Sequence, residues 1–343
     1  MHMADALLAP AVAATMYAAT ATVAGVSIHQ LRRDEETQKL PVMAVSAALV
    51  FAGQMINYSI PGTGSSGHMC GGMLLSALLG PQAGFLSMLV VLSIQCLFFA
   101  DGGLLALGAN VWNMAFYGCF VGYYLIWRPI LRARRGPSTR WRIVLASLLG
   151  CVVTLQLGAF SVVLETLLSG VTELPFAAFA ALMQPIHLAI GLVEGAVTAA
   201  VLCFVYDARP ALLRDVDGAA TGRRSLAATL AVLAVTAALV GGGLSLLASG
   251  DPDGLEWALF GNEEAGYSAN MGLDEAHYGV ESAAADGAAA IQERTAFLPD
   301  YAFAGSDSPA GTSVSGLVGS ALVAAAAALV CLAGGFFRRR RAR

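Results

Sequence analysis

Two histidines in this chain of 343 residues stand where an imidazole can do more than pack. His2 follows the first residue. The α-amine of Met1, the amide nitrogen of His2 and its imidazole Nδ1 can therefore close a five-membered and then a six-membered chelate ring on one metal ion. A deprotonated amide among the donors favours square-planar Ni(II) or Cu(II). The ordinary alternative is a frayed, solvated terminus. His68 lies in Ile60-Pro61-Gly62-Thr63-Gly64-Ser65-Ser66-Gly67-His68-Met69-Cys70-Gly71-Gly72, where five glycines from Gly62 to Gly72 let backbone come close to backbone or ligand. An imidazole that opens a short helix there can point into a cavity as a further ligand, neutral histidine being the commonest metal ligand. A capping histidine in a turn is the plainer reading. Thr63, Ser65 and Ser66 are candidates for hydrogen bonds around such an ion. Met69 and Cys70 are soft donors in principle, but in an apolar run they read as packing.

Other polar residues stand inside apolar runs. Asn110 and Asn113 are spaced i,i+3 and share a helix face; Gln54 and Asn57 repeat that spacing. Each needs a partner, either a neighbouring helix or the shell of a bound ligand. Asp101, in Asp101-Gly102-Gly103, reads as a membrane-face aspartate. His187 and Glu194 lie two turns apart on one helix face, in the middle or arginine-rich half of the fold, and read as structural hydrogen-bonding groups before metal ligands. His29 reads as a solvated helix end, and His277, beside Asp274 and Glu275, as part of a solvated loop.

The elements that carry these residues follow from composition. The chain is 57% hydrophobic and 12% charged, with a mean hydropathy of +0.69. That charged fraction is about half the usual one for a soluble domain, so lipid is the main solvent. Lys39 is the only lysine and sits in Gln38-Lys39-Leu40, so the chain carries no Gly-Lys-Ser/Thr phosphate loop. The six cysteines form no Cys-x-x-Cys pair, which leaves no sign of a disulfide framework or zinc knuckle.

A spanning helix needs about 20 apolar residues. Such runs cover Leu7–Ile28, Met43–Ile60, Met73–Phe99, Leu104–Trp127, Ile143–Leu168, Pro185–Tyr206, Leu226–Leu247 and Val314–Phe337. The first lacks a basic leader and is expected to be retained rather than cleaved. Eighteen of the 19 basic residues fall in 29–42, 128–142, 207–225 and the C-terminal tail, all expected to be cytoplasmic. The segment 250–313 holds twelve acidic residues and one arginine, a net −11, and is expected outside with short helices and partial disorder. With 29–42 and 128–142 both inside, the run Met73–Phe99 must enter and return. Gly80-Pro81-Gln82 supplies the break, leaving a hairpin of Gly67–Leu79 and Gln82–Phe99 whose first limb is too short to cross. Short or broken helices in membranes line polar cavities. The expected fold is an all-α polytopic membrane protein with about seven core helices, one of them short, and two C-terminal spans. Residues 1–210 form a membrane domain, 211–224 a cytoplasmic linker, and 225–343 a second region around the acidic segment.

Met1-His2-Met3, the stretch Pro61-Gly62-Thr63 through Gly67-His68 to Gly71-Gly72, and Asp101-Gly102-Gly103-Leu104-Leu105-Ala106-Leu107-Gly108-Ala109-Asn110 together resemble the CbiM/NikM family. These are substrate-capturing membrane components of energy-coupling factor (ECF) transporters for cobalt and nickel. The resemblance covers residues 1 to about 210. The remainder, with Pro252-Asp253-Gly254-Leu255-Glu256-Trp257 and Pro299-Asp300-Tyr301-Ala302, resembles the small N component of the same systems, fused here in one chain. The resemblance implies uptake of Ni2+ or Co2+ as substrate, with no organic cofactor. The implied ligands are Met1, His2 and His68. The implied partners are a membrane coupling (T) subunit, cytoplasmic ATPase subunits and membrane lipid, without nucleic acid. It implies a multi-pass protein of a bacterial- or archaeal-type cytoplasmic membrane, N-terminus outside and C-terminus inside. Met3-Ala4-Asp5-Ala6 departs from the acidic-glycine pair frequent at that position and leaves nickel versus cobalt open. Two readings compete. One is a membrane metalloenzyme using His68, His187 and Glu194, against which stand the missing His-Glu-x-x-His motif and the expected distance of His187 from the outer face. The other is a stand-alone channel, which would carry polar residues along every helix.

Overall fold

The computed structural model describes all residues except 32–38, 134–137, 172, 217–223, 267–270, 272, 274–277, 304, 307 and 342–343. His277, Asp274 and Glu275, in the acidic segment, lie outside the described residues.

The first 210 residues build the expected seven helical elements. They are α1 (Pro10–Leu31), α2 (Lys39–Gln54), α3 (Gly72–Leu79), α4 (Pro81–Phe99), α5 (107–131), α6 (Thr139–Leu168) and α7 (Phe176–Ala208). Within α5, the turns of Trp112–Trp127 are wider than α-helical and run on without a break into Arg128–Leu131. α1, α4, α6 and α7 are long and apolar enough to cross a membrane. The outer faces of α6 and α7 expose Leu145, Leu149, Val153, Leu188 and Leu192, the side chains that lipid would cover.

The predicted break is at Gly80. Its φ of +83° belongs to the region that favours glycine. Pro81 then starts α4 at a first-turn position, where its missing N–H costs nothing. The eight-residue α3 is buried along its whole length. It reaches this depth because Gly72 lies against Gly118 of α5: a side-chain carbon at Gly72 would stand 3.2 Å from the Gly118 Cα.

The run from Tyr58 to Gly72 departs from expectation. It forms an antiparallel hairpin of β1 (Tyr58–Ile60) and β2 (Ser65–Gly67), with Tyr58 opposite Gly67 and Ile60 opposite Ser65. His68 therefore follows a strand and precedes α3, rather than opening the half-helix. The glycines that looked like ligand-approach positions also supply the hairpin turn, with positive φ at Gly62 and Gly64.

The second region adds α8 (Leu226–Gly242), α9 (Gly254–Phe260), α10 (Ala283–Thr295) and α11 (Ala310–Arg341). The acidic segment carries short helices, as expected. α11 packs on α2 and α4, where Phe51, Phe99, Val323 and Ala327 form a separate apolar core. At the arginine-rich end, Arg214 donates its amide to Ala77 O at the foot of α3 (2.8 Å) and accepts from Trp127 Nε1 (2.9 Å). Next to it, Asp215 pairs with Arg132 and accepts from the Tyr123 hydroxyl at 2.6 Å.

Candidate metal centre

The N-terminal segment folds back into the bundle, with Met1, Met3, Leu7 and Leu8 buried. Asn110 of α5 clamps it. Its Oδ1 accepts the Met3 amide at 2.7 Å and its Nδ2 donates to the Met3 carbonyl at 3.1 Å, while Gly103 N donates to the same carbonyl at 2.9 Å. The Asp5 carboxylate accepts the Ala106 amide at 2.9 Å. The stretch from Asp101 to Asn110 is thus a mould for the first five residues. Gly102 belongs to it by conformation and by space: its φ is +80°, and a side-chain carbon would fall 2.9 Å from Asn110 Nδ2 and 3.1 Å from the His2 Cβ.

This mould sets His2 beside His68. The two rings stack, with centroids 5.5 Å apart and planes 21° from parallel. His2 Nδ1 lies 3.1 Å from Asp101 Oδ1, and its buried Nε2 makes no hydrogen bond. His68 Nδ1 lies 3.1 Å from the Met69 carbonyl. A proton on that nitrogen leaves the Nε2 lone pair free for a metal. The Met1 ammonium pairs with Asp253 Oδ2. Met1, His2 and His68 therefore share one region. The amine and His2 Nδ1, however, face carboxylates in this structure. Among the described residues no three His, Cys, Asp or Glu side chains gather as a preformed ligand set.

Burial shapes the charges. It pushes the His2 and His68 imidazoles down, His68 to about 4, with the Met1 ammonium adding to the effect on both. Both rings are neutral near pH 7 and carry lone pairs. Burial alone would lower the Met1 amine and raise Asp253. Their mutual attraction outweighs it, so the amine is held above its usual value and the carboxylate below.

Asp253 was not among the predicted site residues. It arrives from 252 positions away and does two jobs. Its Oδ1 accepts the Leu255 and Glu256 amides at 2.7 and 3.0 Å, and Glu256 returns a bond to its amide at 3.1 Å. This capping box starts α9. Its Oδ2 meets the amine. The capping signal is legible as Asp253-Gly254-Leu255-Glu256; the amine contact has no local signal.

The remaining candidates have supporting places. Ser66 donates its amide to Pro252 O (2.8 Å) and its hydroxyl to Asp251 O (2.8 Å), docking the second region. Ser65 bonds to Ser66 O, and Thr63 stabilises the hairpin turn. Asn113 donates to buried Glu165 at 2.7 Å. Asn57 lines the outer cavity, and its carbonyl accepts the Ser249 amide. Glu194 is structural, as expected, though its partners are the Cys70 and Gly71 amides, each at 2.8 Å. His187 differs from expectation: it reaches the same neighbourhood as Met1, His68 and Asp253. The outer cavity encloses about 600 Å³ and includes His2, His68, Asp101, Asp253 and Tyr301.

Fold and site together define a multi-pass helical membrane protein with a buried, nitrogen-bearing cup at one end of a bundle that contains a half-helix. The family described as "Cobalt uptake substrate-specific transmembrane region" (CbiM) matches residues 2–212, and the PDGLE domain family matches 227–334. The chain belongs to the CbiM family. It is 36% identical over 325 residues to the putative fused nickel transport protein NikMN of Archaeoglobus fulgidus, covering 95% of this chain and 96% of that one. The cobalt transport protein CbiM of Sorangium cellulosum is 33% identical, over 62% of this chain and 94% of its own. A crystal structure of a truncated transition metal transporter superposes with a TM-score of 0.52 at 33% identity, over 60% of this chain and 98% of that one.

Proposed function

We propose that this chain takes up Ni2+ or Co2+ as the substrate-capturing component of an ECF-type transporter. The ion is held by the Met1 amine, the amide nitrogen and Nδ1 of His2, and a ring nitrogen of His68. The observation that carries this reading is the burial of the chain's first amine and the stacked His2 and His68 rings in one cup. To form the chelate, His2 Nδ1 turns from Asp101 and the amine gives up its proton beside Asp253. The deprotonated amide leaves a bound divalent ion with one net positive charge, which the Asp253 carboxylate balances. The arginine-rich end faces the cytoplasm by the positive-inside rule, which puts the cup and the N-terminus outside. ATP hydrolysis comes from separate ATPase subunits through a membrane coupling subunit, since the chain has no phosphate loop.

Adding one residue before Met1 tests the amine. The extended chain is expected to lose Ni2+ binding by about 100-fold or more, as chelate geometry demands; wild-type binding would sink the proposal. A competition titration of Ni2+ against Co2+ on the purified chain identifies the preferred ion. Uptake by vesicles that hold the chain alone would overturn the dependence on partner ATPases.

A further inference from the structure

We propose that a second, inner station for the transported ion lies behind the cup, with His187 Nε2 as its imidazole ligand; this rests on the capture reading above. His187 is 1% exposed. Its Nδ1 is 2.7 Å from the Met183 carbonyl one turn back along α7. Nδ1 therefore carries the proton and donates, and the lone pair belongs to Nε2. That nitrogen is buried without a hydrogen-bond partner. It is the chemistry of a ligand held ready: a neutral imidazole, fixed in tautomer and orientation by a backbone carbonyl.

The residue borders a void of about 10 Å³, shared with Met1, His68, Cys70, Leu155 and Asp253. A space of that size takes one water-sized occupant. His68 and Asp253 border both this void and the outer cavity. They form the partition between the two spaces. An ion held outside by His2 and His68 can keep its bond to His68 while exchanging His2 for His187. Imidazole suits both nickel and cobalt, and the carboxylate on the partition balances charge in either place. The donors around the void do not close into a finished site among the described residues. A loose station is what transit requires, because an ion bound too tightly does not leave.

The test uses the full chain, alone and assembled with its coupling and ATPase subunits in vesicles, with Ni2+ and Co2+ as probes. His187→Gln removes the ligand nitrogen and keeps a polar side chain. The variant is expected to capture Ni2+ within about threefold of wild type, which also shows that it folds. It is expected to lose about 10-fold or more of ATP-driven uptake. In His2→Ala, Co2+ at raised concentration is expected to give a d–d absorption band that vanishes in the His2→Ala/His187→Gln double variant. Wild-type uptake by His187→Gln, the outcome if the void merely holds water, overturns the station. A parallel loss of capture affinity in that variant also overturns it, by placing His187 in the outer site. A cobalt band that is absent from His2→Ala, or that survives in the double variant, does the same. Wild-type capture by His2→Ala would instead overturn the capture reading, whatever the His187 variants do.

Discussion

Each end of the bundle holds an aspartate against a cation. At the cup, Asp253 pairs with the Met1 ammonium; at the arginine-rich end, Asp215 pairs with Arg132, with Arg128 3.9 Å away. Both aspartates accept further bonds: Asp253 caps α9, and Asp215 accepts the Tyr123 hydroxyl. The difference lies in the cation. A guanidinium stays protonated at any working pH and has no lone pair to offer. An α-amine can lose its proton and bind a metal. The pair at the foot of α3 is therefore a latch, while under the proposed capture the pair at the cup is a latch that is exchanged for an ion.

The largest expected effect breaks the cup alone. His2→Ala removes the ring that closes the six-membered chelate and should weaken Ni2+ binding by about 100-fold or more in isothermal titration. Binding at wild-type strength would erase the distinction between the ends. Glu194→Gln comes next. Gln offers one oxygen where the carboxylate receives the Cys70 and Gly71 amides, so the loop that carries His68 loosens. Affinity should fall about 10- to 100-fold, as for other groups that orient metal ligands; a change confined to thermal stability would reduce Glu194 to packing.

The third effect is one of pH. The amine is held above its usual value, and the His2 amide must also deprotonate, so protons compete with the ion at neutral pH. Affinity should rise between about pH 6 and 8, by ~10-fold per unit for each proton released. The imidazoles contribute little to this slope, since His68 gains charge only toward pH 4. A flat profile would show that the amine is not a ligand. The smallest effect belongs to the other end. Asp215→Asn should leave Ni2+ affinity within about twofold and lower stability by roughly 1 kcal/mol, the scale of partly exposed ion pairs. A large loss of affinity would mean that the two ends are energetically coupled.

The helices and the break between α3 and α4 were legible because apolar length and a glycine-proline step obey simple rules. The placement of arginines on both sides of Met73–Phe99 demanded a re-entrant hairpin, and Gly80-Pro81 could be seen to supply it. Met1 and His2 could be singled out as a candidate chelate because ring size depends only on adjacency along the chain, and His68 because it stands in a glycine-rich stretch. The roles of the polar helix residues were harder. Asn110 plainly needed a partner, and either a neighbouring helix or the shell of a bound ligand was the expectation. Its partner is instead the backbone of Met3, 107 positions away. His187 looked remote from the cup because periodicity gives a residue's face but not its depth. Asp253 was readable as a helix cap and unreadable as a counter-charge. Thr63, Ser65 and Ser66 have the composition of a ligand shell, yet pairing of β1 with β2 and docking of the second region use their hydrogen bonds.

Both Asp253 and Tyr301 reach the cup from beyond residue 225, and Tyr301 donates its hydroxyl to Asp101, the aspartate beside His2. Part of the wall of the cavity beside His2 and His68 thus comes from sequence that follows the seven-element bundle. Because that wall is tethered by peptide bonds, its supply does not depend on how much of a separate polypeptide the cell makes. Joining by a short linker corresponds to an effective concentration on the order of millimolar. Every bundle that reaches the membrane therefore carries its own wall in a one-to-one ratio, and a contact too weak to hold two free proteins together suffices to keep the cup closed on that side.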